Sequence, residues 1–356
     1  MGEAIVITSG KGGVGKTTTT ANIGTALASM GKKVVVVDGD TGLRNLDVLM
    51  GLENRIVFTL MDVLEENCKL KQALIKDKRL PNLFLLPTAQ TRDKTDITKE
   101  QMLSLVNELK GEFDYVILDC PAGIEQGFEN AIAGADRALI VVNPEVTSVR
   151  DADRVIGKLE AKGLEDHQLI VNRINSDMVK SGDMLDVNDI LDSLAVKLIG
   201  IIPDDRNITI STNKGEPIVL NDKALSGQAF RNVARRIMGE QVPFLNFDSN
   251  NENGFLYSLK KLLGGIQMDF FSLFGQKPAS KEVAKERLKL ILIHDRADLS
   301  PELLQNIKEE IMGVISKYAE IDREELEVKI TNTDEMEGNS PALIASIPIK
   351  RMKKRR

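Results

Sequence analysis

Short apolar runs recur along the first two-thirds of the chain, separated by stretches of helical length. Seven runs are rich in valine, isoleucine and leucine: AIVIT, KVVVVD, LFLLPT, DYVILDCP, RALIVVN, HQLIVN and LIGIIP. Stretches such as TTTANIGTALASMG and KEQMLSLVNELKGEF lie between them. Continuous apolar strands that alternate with helices are buried on both faces. The pattern therefore predicts one doubly wound α/β domain over 1–248, with a mostly parallel sheet and helices on both faces.

The pattern changes at DSNNEN, a short polar stretch that predicts a linker over 249–253. An amphipathic piece over 254–265 and a cluster of phenylalanines follow it. A small α+β unit is then predicted over 297–349. Its helix starts at Ser300, which is followed by proline and an acid, and runs to about Tyr318. Its strands are ELEVKIT and ALIASIPI.

The segment GFLYSLKKLLGG separates apolar from charged residues when it is drawn as a helix. At roughly 100° per residue its apolar side chains fall within about 120° of one another, and its two lysines lie outside that arc. The apolar residues are Phe255, Leu256, Leu259, Leu262 and Leu263, and the lysines are Lys260 and Lys261. This is typical of a helix lying in a membrane interface. The alternative is a helix packed on its own domain.

The run LKLILI, residues 288–293, fits two secondary structures. A strand would place alternate leucines on one face and Ile291 and Ile293 on the other, so both faces would need burial. A helix would gather Ala284, Leu288, Ile291 and Leu292 on one side. Periodicity alone leaves both alternatives open.

Composition and charge exclude several classes of protein. The net charge of −6 argues against a nucleic-acid binder, and no apolar run approaches the roughly 18 to 20 residues that cross a bilayer. Cys68 and Cys120 lack CxxC spacing, which predicts ordinary buried thiols in a reducing compartment. The N-terminus enters a strand without a secretory signal, so we expect a cytoplasmic protein. The basic tail over 350–356, KRMKKRR, is either solvated or an electrostatic contact for anionic lipid.

The stretch GKGGVGKTT follows the first strand and opens a helix, as a phosphate-binding loop requires. Backbone N–H groups would hold phosphate oxygens, Lys16 would reach the outer phosphates, and the Thr17 hydroxyl would bind Mg²⁺. ATP and Mg²⁺ are the predicted cofactors. The predicted nucleotide-binding residues are Gly10, Lys11, Gly12, Gly13, Val14, Gly15, Lys16, Thr17, Thr18 and Asn172.

Three carboxylates end predicted strands. VVVVDGD supplies Asp38 and Asp40, and YVILDCPAG supplies Asp119. Because parallel strands end at the same edge of the sheet, we expect all three beside the phosphate loop. The alternative is that they only cap turns.

The second loop lysine, Lys11, makes GKGGVGKTT resemble the deviant Walker A branch of the P-loop NTPases. In that class the extra lysine reaches the partner subunit's phosphates across a nucleotide-sandwiched dimer, so ATP binding and dimerisation are one event. The resemblance implies that Asp119 holds Mg²⁺ through water, that Asp38 supports that shell, and that Asp40 positions the attacking water. The implied catalytic residues are Lys11, Lys16 and Asp40, and the implied metal-site residues are Thr17, Asp38 and Asp119.

Further stretches resemble the MinD family, membrane-bound ATPases of bacterial division-site placement. They include DGDTGLRNLD, QALIKDKR, PTAQTRDK, DCPAGIE, NPEVTSVRDADR and GFLYSLKKLLGG. The resemblance implies slow Mg-dependent hydrolysis of ATP, a homodimer, and nucleotide-dependent attachment to anionic lipid on the inner face of the cell membrane. A MinC-like division inhibitor is a possible third partner.

The stretches MDFFSLFG, AKERLKLILIHDR and IDREEL resemble the MinE family, which stimulates the MinD ATPase. The resemblance covers 268–349 and implies a natural or engineered fusion. The MinE-like activator then contacts either its own chain (in cis) or a neighbouring chain (in trans). The resemblance also implies a membrane and contact segment over 266–296, a dimerisation unit over 297–349, and an LKLILI segment that is strand in one state and helix in another. The implied membrane residues are Phe270, Phe271 and Phe274, with those of 255–263. The implied partner contacts are Asn45, Glu53, Arg150, Asp151, Asp153, Lys285, Arg287, Leu288, Ile291 and Leu292.

Three other functions compete with this interpretation. A ParA-like partitioning or positioning ATPase binds DNA through a basic surface on the ATPase dimer, whereas the basic run here is at the far C-terminus. A reductase similar to the nitrogenase iron protein needs cysteines around an iron–sulfur cluster, and Cys68 and Cys120 supply no convincing set. A scaffold that uses ATP only to dimerise is disfavoured by Asp40. We therefore expect an ATPase without a nucleic-acid partner.

Overall fold

The computed structural model describes residues 1–40, 44–89, 97–245 and 280–296, together with 310–311, 314–316, 319–321, 327–332, 341–346 and 349–352. Met1–Lys281 form one compact unit and Glu282–Arg356 form a second. None of the described helices is long and apolar enough to span a bilayer.

An eight-stranded sheet is the centre of the first unit, in the order β3-β4-β2-β5-β1-β6-β7-β8. All neighbouring strands are parallel except β3 and β4. The seven predicted strands are confirmed, and β3, with two residues, is the addition. The bounds are β1 Glu3–Thr8, β2 Val34–Asp38, β3 Ile75–Lys76, β4 Leu83–Leu86, β5 Tyr115–Asp119, β6 Arg137–Val142, β7 His167–Ile174 and β8 Lys197–Pro203.

Helices pack against this sheet and complete the doubly wound fold. Every residue of β2 is buried, as expected for a strand covered on both faces. The helices are α1 Lys16–Ser29, α2 Leu46–Met50, α3 Leu60–Leu64, α4 Leu70–Ala73, α5 Lys99–Glu112, α6 Gln126–Ile132, α7 Val146–Ala161, α8 Ser176–Ser181, α9 Val187–Leu194, α10 Arg206–Asn213 and α11 Leu225–Ile237. Short 3₁₀ helices lie at Glu53–Arg55 and Ile218–Leu220.

The apolar face of α7 shows how helix periodicity positions polar residues near the loop. Its buried stripe repeats at three- and four-residue intervals, which turns the intervening polar residues outward. The stripe consists of Val149, Ala152, Val155, Ile156 and Leu159.

Helix α12, Ser280–Arg296, starts at the end of the first unit and contains the ambiguous LKLILI run. The helical alternative is the one found, with Leu288 and Leu292 buried and Lys285 and Arg287 exposed. This spacing of four residues puts both buried leucines on one side of the helix. The implied strand state of the same run stays a prediction.

Four strands of the second unit are described. They are β9 Ala319–Ile321, β10 Glu327–Asn332, β11 Pro341–Ser346 and β12 Ile349–Met352. β10 pairs with β11 and β9 with β12, both antiparallel. The two predicted strands are therefore present, and β12 extends into the stretch expected to be a basic tail. Of the predicted helix over 300–318, residues 310–311 and 314–315 are helical. The predicted linker and the amphipathic and phenylalanine segments lie outside the described residues.

Candidate phosphate and metal site

The loop between β1 and α1 presents an open helix end. Gly15 precedes the helix with φ +103°, no side chain caps α1, and its first turn contains no acid. A Cβ at Gly15 would lie 2.5 Å from Nδ2 of Asn172, so the position requires glycine for space as well as for φ. The N–H groups and positive dipole of such a helix end favour a bound anion.

Lys16 lies buried against the start of its own loop. The residue is 7% exposed, and its Nζ donates a hydrogen bond to Oγ of Ser9 over 3.1 Å. The Ser9 hydroxyl donates in turn to the carbonyl of Lys11 over 2.8 Å. The ammonium of Lys16 is thus fixed inside the loop that would surround a phosphate.

Lys11 has the opposite environment. Its side chain is 49% exposed and its Nζ lies 3.9 Å from Oε2 of Glu145, which precedes α7. It also donates to Oγ1 of Thr147 over 3.4 Å. An exposed ion pair of this length contributes about 0–1 kcal/mol, so little holds Lys11 in place. The two loop lysines therefore lie in different environments: Lys16 is buried in the loop, and Lys11 is exposed beside α7.

Asp38 and Asp119 stand side by side at the carboxyl edge. They are direct partners in the register of β2 and β5, and both are 1% exposed. Burial raises the pKa of Asp119 to about 7, against hydrogen bonding from Thr17 and the charge of Lys16. Burial and the neighbouring Asp119 likewise raise the pKa of Asp38. Two buried carboxylates this close are costly unless a cation joins them.

The pair of carboxylates Asp38 and Asp119 fits a magnesium ion that is also held by phosphate and water. Oδ2 of Asp38 is buried and has no hydrogen-bond partner among the described residues. Oδ1 of Asp119 accepts from Oγ1 of Thr20 over 3.2 Å. No cluster of three or more His, Cys, Asp or Glu suited to a metal occurs in the described part of the chain. Mg²⁺ typically takes only one or two carboxylates and completes its shell with phosphates and water.

Asp40 follows this pair in a more open position. Its backbone N–H donates to Oδ1 of Asp38 over 3.1 Å, and its side chain is only partly buried.

Helix α7 packs directly on the phosphate loop. A Cβ at Gly10 would lie 2.3 Å from the carbonyl oxygen of Asp151 and 2.6 Å from its Cβ. Asp151, Asp153 and Arg150 are all partly exposed. Asp151 therefore adjoins the loop directly, and Arg150 and Asp153 lie beside it on the same helix.

The remaining predicted contacts are spread over other elements. Asn45 precedes α2 and Glu53 begins a 3₁₀ helix, and both are exposed. Lys285, Arg287 and Ile291 lie on α12. The predicted membrane residues between 255 and 274 lie outside the described residues, so their arrangement stays a prediction.

Several residues of the site were not predicted from the sequence. Thr20 could have been found, because it lies one helical turn after Lys16 on α1 and so faces the same side. Ser9, Glu145 and Thr147 carry no such signal. The thiols differ from expectation in part: Cys120 is buried, whereas Cys68 is partly exposed.

A glycine-rich loop with a buried lysine at a helix start, on this mostly parallel sheet, defines a P-loop ATPase. Residues 2–167 match the family model described as an AAA domain. The chain belongs to the MinD family: it is 59% identical to the septum site-determining protein MinD of Synechocystis over 266 residues, 74% of this chain and 100% of that one. MinD of Bacillus subtilis is 55% identical over 74% of this chain and 99% of its own.

Solved structures agree with this assignment. MinD in the MinC:MinD complex of Aquifex aeolicus is 54% identical, with a TM-score of 0.65 over 69% of this chain and 100% of that one. MinD of Pyrococcus horikoshii complexed with Mg-ADP is 32% identical, with a TM-score of 0.61 over 67% and 96%. A ParA family ATPase of Chlorobium tepidum, at 22% identity and a TM-score of 0.57, shares the fold.

The C-terminal part of the chain matches a second protein family. Residues 268–349 match the model described as septum formation topological specificity factor MinE. The chain therefore joins a MinD-type ATPase to a MinE-type partner in one polypeptide, and it is an ATPase of the Min system.

Proposed function

We propose that the chain is a membrane switch that dimerises on Mg-ATP, attaches to anionic lipid through 254–265, and is released when its MinE-like part stimulates hydrolysis. The contrast between the two loop lysines carries this proposal. Lys16 is buried where it would bind its own phosphates, whereas Lys11 is exposed and weakly held. An exposed lysine of this kind is suited to a nucleotide in a second subunit.

The loop and Lys16 bind the phosphates of ATP in this proposal. Asn172 donates through Nδ2 to the carbonyl of Val14 over 2.7 Å. Its buried Oδ1 has no partner among the described residues and is suited to accept from the nucleotide. Thr17, Asp38 and Asp119 would hold Mg²⁺, which when bound neutralises charge on the phosphates.

Hydrolysis in this proposal depends on Asp40. Its carboxylate orients a water molecule toward the terminal phosphate and accepts the proton of that water, and Lys16 stabilises the charge that develops on the transferred group. The backbone N–H of Asp40 donates a hydrogen bond to Asp38, which connects Asp40 to the metal corner, the pair of carboxylates Asp38 and Asp119. Loss of the terminal phosphate then removes the group that Lys11 binds across the dimer.

Membrane attachment follows from dimerisation. The apolar arc of one amphipathic segment, over 255–263, covers under three helical turns, so a single segment is not stable alone in water and binds lipid weakly. Two such segments on one dimer raise the effective concentration at the surface. We therefore place the protein in the cytoplasm and, when ATP is bound, on the inner face of the cell membrane. A MinC-type inhibitor is proposed as a further partner, since a MinD relative forms a complex with MinC.

The MinE-like helix activates hydrolysis by contacting the face around α7. Lys285 and Arg287 are exposed on α12, and Asp151 and Asp153 are accessible on α7. Opposite charges speed docking more than they tighten it. The close packing of Asp151 on Gly10 supplies a direct route from this face to the phosphate loop.

Reversing two charges on α7 tests the activation step. With Asp151→Lys and Asp153→Lys together, we expect lipid-stimulated ATP turnover to fall by about tenfold or more toward the rate without lipid, because like charges then oppose the basic helix. The measurement is phosphate release with and without anionic liposomes. ATP affinity should stay within about twofold, since neither side chain binds nucleotide in this proposal.

Glu160→Lys is the matched control, because Glu160 is an exposed acid near the other end of the same helix. It should keep its lipid stimulation. Stimulation that survives in the double variant would refute the α7 contact.

A further inference from the structure

The corner between α8 and α9 holds the first two residues of α12. The backbone N–H of Lys281 donates to the carbonyl of Gly182 over 2.8 Å. Its Nζ donates to Oδ2 of Asp186 over 2.7 Å and lies 3.0 Å from Oδ2 of Asp189. Ser280 adds a 3.5 Å contact from its hydroxyl to the same Gly182 carbonyl. Residues far apart in sequence are thus joined through backbone and side chain.

The acidic half of this corner is held together by hydrogen bonds that do not involve Lys281. Asp186 and Asp189 form a capping box at the start of α9: Asp186 Oδ1 accepts from the N–H of Asp189 over 2.9 Å, and Asp189 Oδ2 accepts from the N–H of Asp186 over 3.1 Å. Asp186 therefore has its other oxygen, Oδ2, available for Lys281, whereas Oδ2 of Asp189 contacts both the N–H of Asp186 and Lys281. The ammonium of Lys281 bridges the two carboxylates and offsets their mutual repulsion.

The contact is sheltered from water. The side chain of Asp189 is 6% exposed and that of Lys281 is 20% exposed. Burial lowers the pKa of Lys281, but hydrogen bonds to Asp186 and Asp189 outweigh it and leave that pKa raised. A sheltered, charge-assisted contact is stronger than an exposed pair on the surface.

We propose that the acidic α8–α9 corner, formed by Gly182, Asp186 and Asp189, is a docking site for the start of the activator helix of the same chain. The first residues of α12, Ser280 and Lys281, are then held on the ATPase domain before any dimer forms. That α12 is the activator rests on the proposed function, whereas the docking contact itself does not.

The covalent connection favours a contact within one chain. Residues 246–279 join the end of the described ATPase domain to Ser280, and an extended chain of that length exceeds the width of a small domain. A tethered group has a high effective concentration at any site it can reach. Activation would therefore need no encounter with a separate MinE molecule.

Amide hydrogen exchange on the full chain with ADP and without lipid tests this docking. In the unmodified protein we expect the amide of Lys281 to be protected. Lys281→Glu should increase exchange there and at Asp186 and Asp189 by about tenfold, because a carboxylate would face two others. Lys281→Arg should keep the protection, and Lys223→Glu, an exposed lysine on another loop, should leave it unchanged.

The outcomes separate docking from activation. Protection that disappears on dilution would mean that the contact forms between chains, and would overturn the proposal. So would a Lys281 amide that exchanges like an unstructured peptide, or corner exchange unaffected by Lys281→Glu. Intact protection combined with no lipid-stimulated turnover would instead refute the proposed function and leave the docking in place.

Discussion

Replacing Lys16 with alanine should reduce ATP turnover by at least about a hundredfold and remove most affinity for both ATP and ADP. Lys16 is the buried cation of the loop, held by Ser9 inside the loop that, in the proposed function, binds the phosphates of its own subunit. Its loss also removes the positive charge that lowers the pKa of Asp119. Nucleotide binding by calorimetry and phosphate release give the two readouts.

Lys11→Ala is the matched comparison within the same loop. Since Lys11 points to Glu145 and Thr147 rather than into its own loop, affinity for ADP should stay within about twofold. Dimerisation with a non-hydrolysable ATP analogue should be lost, as seen by light scattering. A Lys11 variant that still dimerises, or a Lys16 variant that still binds ADP tightly, would contradict the division of roles between the two lysines.

Replacing Asp40 with alanine should slow hydrolysis by about a hundredfold or more while leaving ATP binding and dimerisation intact, because in the proposed mechanism the residue acts on water rather than on phosphate. Its backbone hydrogen bond to Asp38 survives the substitution, so the metal corner should keep its shape. Single-turnover phosphate release measures the loss. The variant should then accumulate on liposomes with ATP.

Asp136→Ala supplies the control for Asp40, because Asp136 binds the N–H of Ala4 near the amino end of β1, at the other edge of the sheet. It should lower stability without selectively slowing hydrolysis. Near-normal turnover in Asp40→Ala would remove Asp40 from the mechanism. Loss of ATP binding would instead assign it to the nucleotide site.

The sheet was predictable because its strands are continuous apolar runs, a pattern that few other structures produce. The placement of Asp38 and Asp119 at one edge of the sheet also follows from sequence, since both end parallel strands. Their direct pairing depends on the strand order, which the sequence does not show. β3 was not predictable, because two residues carry no periodic signal. The LKLILI run was ambiguous for a physical reason: its apolar residues satisfy both a two-residue and a helical repeat.

The candidate site was predictable wherever its residues belong to one motif. The glycines, Lys16 and Thr17 lie within a single loop and helix start. Contacts between distant segments were not predictable, such as Lys11 with Glu145 or Lys281 with Asp186 and Asp189. These depend on which loops the fold brings together, and single charges in a sequence do not show their partners.

Co-sedimentation of the purified chain with anionic liposomes, with phosphate release followed in parallel, tests the central claim most directly. A self-contained switch predicts sedimentation with a non-hydrolysable ATP analogue but not with ADP, and lipid-stimulated turnover without any added activator. Leu259→Glu, at the centre of the apolar arc, should abolish both the sedimentation and the lipid-stimulated turnover. Tyr257→Glu is its control, because it adds the same charge outside that arc. Sedimentation that is independent of nucleotide would contradict the account, because attachment would then be constitutive and hydrolysis could not control it.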